Sequence, residues 1–127
     1  SAKTEPASVV TLGFNIVKVD GNDDKALTGA EFTLWDSSTG GNQIALVYDE
    51  NAGAYRVATD DEIKDDKTGN VVVNKEGKAT IIGLDANTYY LQDTDTDTAS
   101  KDVNALVIIV ADGMSAQCEQ RLSQTVT

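Results

Sequence analysis

The amino-acid sequence predicts an all-β protein, a two-sheet sandwich with one short helical turn. Three observations carry that expectation. Strand-length runs recur at a spacing of roughly 8–12 residues. Glycine, asparagine and aspartate cluster between the runs, where tight turns need them. Inside the runs apolar and polar side chains alternate, the period of a strand rather than of a helix. The chain has 127 residues and is 40% hydrophobic, which suits one domain with a core of its own.

Residues 1–8 are small and polar and read as a linker or frayed terminus, leaving 9–127 as a single sandwich domain. Leu12 to Asp20 is the first strand, ended by the turn cluster Gly21-Asn22-Asp23-Asp24. Ala30 to Trp35 alternates, with Ala30, Phe32 and Leu34 on the inner face. After the loop Ser37 to Asn42, a strand is expected over Gln43 to Tyr48, and another over Ala54 to Ala58 beyond the turn at Gly53. Asp60 to Lys67 is the one segment that reads as a helical turn, acidic and exposed. Val71 to Val73 is a short strand; Lys75-Glu76-Gly77-Lys78 turns into a strand over Ala79 to Ile82. Thr88 to Asp93 places Tyr89 and Leu91 on one face, and Asp93 to Asp102 is a polar loop. Ala105 to Ala111 and Met114 to Val126 are expected to close the domain as a hairpin around Asp112-Gly113.

Composition removes several function classes. Twenty-one acidic residues against ten basic ones give a formal net charge of -11. Such a surface repels phosphate backbones and anionic lipid, so neither nucleic acid nor a membrane is an expected partner. The sequence holds no histidine, which removes the usual general base and the Ser-His-Asp and Cys-His centres. The single cysteine, Cys118, excludes an intrachain disulfide and a cysteine zinc site, and reads as a small buried hydrophobe of the last strand. No apolar run approaches the ~20 residues that span a bilayer. No cofactor and no turnover enzyme are expected.

The sharpest local feature is the run FNIVKVD, Phe14 to Asp20. Alternation points Phe14, Ile16 and Lys18 the same way, so an ammonium faces the core. A buried, unpaired charge costs several kcal/mol. Lys18 therefore pairs with a buried carboxylate, Asp93 being the candidate, or snorkels to a rim, or is consumed in a covalent bond.

FNIVKVD, followed by LTGAEFTLWD (Leu27–Asp36), YRVATDDEI (Tyr55–Ile63) and GKATIIGLDANTYYLQDT (Gly77–Thr94), resembles the Cna protein B-type domains of Gram-positive pilins and surface adhesins, including their SpaA type. The resemblance runs from Phe14 to Ala111. It implies a prealbumin-like or Ig-like β-sandwich with a structural role, a stalk or spacer domain of a secreted cell-surface pilin or adhesin. Wall anchoring would lie in regions outside this chain. The implied partners are neighbouring domains or pilus subunits, with a host protein or glycan as further candidates.

The resemblance also implies a self-formed isopeptide cross-link from a first-strand lysine to a last-strand asparagine, assisted by a buried glutamate in a Y-x-L-x-E motif. A desolvated amine is nucleophilic, and a neutral buried acid polarises the acceptor amide. Lys18 falls on the lysine position. Tyr89-x-Leu91-x-Asp93 falls on the acid motif with Asp93 one methylene short. Asparagine is absent after Asn104, which opens the penultimate strand, and Gln120 is the amide on the inner parity of the last strand. Gln120 and Asn104 are thus the acceptor candidates.

An alternative reading is a ligand-binding adhesin module, holding a host glycan or protein or a calcium-stabilised loop. Asp20, Asn22, Asp24 and Glu31 have EF-hand-like spacing, but Lys25 stands where that loop needs glycine. An acidic turn is the plainer account. Trp35 has the opposite parity to Leu34 and faces away from the core, to pack under a loop or to contact a carbohydrate or protein.

Overall fold

The computed structural model describes residues 12–37, 41–94 and 105–124. The expected linker at 1–8 lies outside them. Nine strands and one helix are described: β1 (Gly13–Asp20), β2 (Glu31–Trp35), β3 (Leu46–Asp49), β4 (Ala54–Val57), α1 (Asp60–Lys64), β5 (Val71–Val72), β6 (Lys78–Ile82), β7 (Asn87–Asp93), β8 (Ala105–Val110) and β9 (Glu119–Gln124). They form two sheets. One has the order β3-β4-β6-β1-β9 and the other β5-β2-β7-β8.

Alternation decides which side of each strand meets the core. Phe32 and Leu34 of β2 are buried while Glu31, Thr33 and Trp35 are half-buried. On β7, Tyr89, Leu91 and Asp93 point inward. Phe14, Ile16 and Ile81 answer from the first sheet, and Ile108 and Val110 join from β8. The Tyr89 hydroxyl donates to the Asp85 carbonyl at 2.9 Å and pins the turn before β7. Burial pushes the Tyr89 phenol above its ordinary value, with the Asp85 charge adding to the effect.

β1 lies between β6 and β9 in the first sheet. It pairs antiparallel with β6 and parallel with β9, with Ile16 opposite Gln120 and Lys18 opposite Leu122. Two glycines let other backbone come close to it. A Cβ at Gly13 would lie 2.1 Å from the Ile81 carbonyl oxygen. Gly77, at φ 72°, is in the left-handed region, and a Cβ there would lie 2.6 Å from the Lys18 carbonyl oxygen.

Three expectations need correction. β8 and β9 are not a hairpin, because they belong to opposite sheets. Two successive turns, closed by Met114 N–H on the Ala111 carbonyl and Cys118 N–H on the Ser115 carbonyl, carry the chain across. Cys118 is consequently exposed rather than a buried strand residue. It precedes β9, so strand parity does not apply to it. The third strand begins at Leu46 rather than Gln43. Gln43 bridges Trp35 and the Ile44 N–H donates to the Leu34 carbonyl, so this segment leaves the second sheet before joining the first.

Candidate functional site

Lys18 and Asp93 meet between the sheets. The ammonium leaves β1 in the first sheet, and the carboxylate leaves β7 in the second. Lys18 Nζ donates to Asp93 Oδ2 at 2.7 Å. Only 6% of Lys18 and 5% of Asp93 is exposed. Phe32 is the register partner of Asp93 across β2 and β7. Its ring centroid lies 5.7 Å from Lys18 Nζ, within cation–π range. The ammonium therefore has a carboxylate on one side and an aromatic face on another, in a site closed to bulk water. No described side-chain polar atom that is fully buried lacks a hydrogen-bond partner.

The acceptor candidates are placed differently. In the parallel β1–β9 ladder Leu122 is the residue beside Lys18. Gln120 lies two positions earlier, beside Ile16, and is half-buried. Asn104 lies outside the described residues.

Of the acidic-loop candidates, Asp20, Asn22 and Asp24 share one turn and Glu31 stands apart. Asp20 ends β1, and its Oδ1 accepts the Asn22 N–H at 2.8 Å. Asp24 adopts φ 61° and lies 3.4 Å from the Arg121 guanidinium. Glu31 is on β2, in the other sheet, where it accepts from Asn70 Nδ2 at 3.0 Å. No cluster of three carboxylate, cysteine or histidine side chains suited to a metal occurs among the described residues. Trp35 is half-buried and its Nε1 donates to Thr33 Oγ1 at 2.9 Å.

One constellation escaped the sequence reading. Arg56 of β4 holds Asp49 through Nε at 2.9 Å and Glu62 through both terminal nitrogens at 2.8 and 2.9 Å. Glu62 is also the third residue of α1, in a capping box with Thr59. The Arg56 guanidinium, followed by the Thr59 N–H, lowers the Glu62 carboxyl from 4.5 to about 2. Thr59-x-x-Glu62 after the strand YRV is the signal that could have revealed it.

The fold has solved counterparts at low sequence identity. The minor pilin GBS52 of Streptococcus agalactiae superimposes with a TM-score of 0.63 at 17% identity, over 93% of this chain and 46% of that one. The full-length major pilin RrgB of Streptococcus pneumoniae gives 0.59 at 16% identity, over 93% and 31%. The shaft pilin spaA of Lactobacillus rhamnosus GG gives 0.55 at 18%, over 92% and 49%. The chain thus spans less than half the length of each of these pilins. Comparison with curated proteins returns no match. A family model for the SpaA prealbumin-like fold domain matches residues 13–119. With most of its length inside that match, and a two-sheet fold to go with it, the chain belongs to the SpaA family of prealbumin-like fold domains.

Proposed function

We propose that the chain is a structural domain of a Gram-positive cell-surface pilin, a stalk segment that passes tension along its length. One observation carries this reading: β1 and β9 lie side by side and run parallel. The chain enters β1 at one end of the ladder and leaves β9 at the other. Tension applied through them loads their hydrogen bonds together in shear instead of opening them one at a time. The solved counterparts, all described as pilins, support the same role.

In this reading the Lys18–Asp93 pair is a non-covalent clamp between the two sheets, at the place where the resemblance implies a cross-link. Leu122, beside Lys18, offers no acyl group. Gln120 is one side-chain step away along β9, and Lys18 Nζ is already engaged by Asp93 at 2.7 Å. No turnover chemistry belongs to this function.

Intact-mass spectrometry tests the clamp. An ion pair leaves the mass equal to that of the sequence. A cross-link to an amide acceptor releases ammonia and lowers it by about 17 Da, and direct condensation of Lys18 with Asp93 releases water and lowers it by about 18 Da. Either deficit overturns the non-covalent reading, and fragment spectra would name the acceptor.

A further inference from the structure

The sequence contains two Asp-Gly pairs, Asp20-Gly21 and Asp112-Gly113, and no Asn-Gly. Such a pair carries a latent reaction. The glycine backbone nitrogen can attack the preceding side-chain carboxyl, because glycine has no Cβ to obstruct the approach. The fold treats the two pairs in opposite ways. At Asp20-Gly21 the shared peptide group is held at both ends. The Asp20 carbonyl accepts the Asp24 N–H at 2.8 Å, and the Gly21 N–H donates to the Gln124 carbonyl at 3.0 Å. Asp20 Oδ1 is itself occupied, by the Asn22 N–H at 2.8 Å. Turning that peptide group toward the side chain would break all three bonds, one of which joins the end of β1 to β9.

Asp112 and Gly113 are the central pair of a β-turn, closed by the Met114 N–H on the Ala111 carbonyl at 3.0 Å. That bond spans the pair without engaging the peptide group between them. Both residues are exposed. Gly113 has φ 84°, and a Cβ placed on it would meet nothing within 4 Å. Among the described residues, none bonds the Gly113 N–H or the Asp112 carboxylate. Turn types differ in the orientation of this central peptide group, so its rotation leaves the flanking strands in place.

We propose that Asp112-Gly113 is a site of spontaneous backbone isomerisation, and that the fold silences the same dipeptide at Asp20-Gly21. The Gly113 nitrogen bonds to Cγ of the protonated Asp112 carboxyl. The Cγ–OH bond breaks, and the hydroxyl leaves as water with the amide proton, closing a succinimide ring. Water then adds at the Asp112 main-chain carbonyl and breaks its bond to the Gly113 nitrogen. The chain now runs through Cγ as isoaspartate, with its original mass and one more methylene in the main chain. That methylene enters the crossing from β8 to β9. The inference does not depend on the stalk reading.

The folded wild-type chain, kept warm at neutral pH for weeks and sampled by peptide mapping with electron-transfer fragmentation, tests it. Isoaspartate should accumulate at position 112 about tenfold faster than at position 20, since only the latter must first break hydrogen bonds. A species lighter by about 18 Da, the succinimide, should precede it. In urea the two sites should react at similar rates, because the bonds that separate them are gone. Equal rates at the two positions in the folded chain, no isoaspartate at 112, or the same tenfold preference in urea would each overturn the proposal.

Discussion

At residue scale, Lys18 and Asp93 are each costly alone and tolerable only together. Both are almost wholly buried, and both come from strands whose other inward residues are apolar or aromatic. Taking an ion out of water costs several kcal/mol, which mutual attraction and hydrogen bonding offset only while the partner remains. Asp93→Asn keeps the shape and removes the charge, stranding an ammonium beside Phe32. It should cost about 3–5 kcal/mol in urea-induced unfolding. The double replacement Lys18→Met with Asp93→Leu removes both charges and should be near neutral or stabilising, so the single effects should fail to add. A loss below about 1 kcal/mol for Asp93→Asn, with additive singles, would mean that water screens the pair. This site was legible in the sequence because parity alone turns Lys18 inward on β1 and Asp93 inward on β7. Cys118 was misread by the same rule, because two turns precede β9 and parity holds only inside a strand.

At the scale of elements, α1 has no buried residue of its own, so core packing does not hold it in place. Arg56 ties it to the β3–β4 hairpin, and the capping box orders its first turn. The pH dependence of that tie follows from Glu62, whose folded carboxyl sits near 2 against an ordinary 4.5. A depressed carboxyl stabilises fully above its unfolded value, and the contribution drains away as pH falls from 4.5 toward 2. Urea midpoints of wild type and Glu62→Gln should therefore differ by a constant amount near neutrality, converge over that window, and coincide at its acid end. A difference that persists unchanged through the window would show that Arg56 does not hold Glu62. The strands β1, β2, β6 and β7 could be read from local alternation because each keeps one face to the core throughout. The crossings could not. Gln43 to Asp49 changes sheets midway through contacts with Leu34 and Trp35, and Ala111 to Cys118 crosses between the sheets on two successive turns, where no alternation marks the path.

At the scale of the whole molecule, the parallel β1–β9 ladder sets how the domain answers force. β1 has 8 residues, about 26 Å of strand at roughly 3.3 Å each. Pulled through the chain ends, β1 and β9 must slide past each other, so the bonds between Asn15–Asp20 and Glu119–Gln124 carry tension at once. Pulled instead through handles at Leu46 and Val57, the β3–β4 hairpin opens pair by pair from its open end. Single-molecule stretching should give a clearly higher unfolding force in the first geometry than in the second. Equal forces would remove the mechanical basis of the stalk reading. The length released separates the two chemistries of Lys18. An ion pair yields under load, and the whole span between β1 and β9 then extends. A covalent bond from Lys18 to Gln120 would route tension directly from β1 into β9, and the intervening strands would release no length at all.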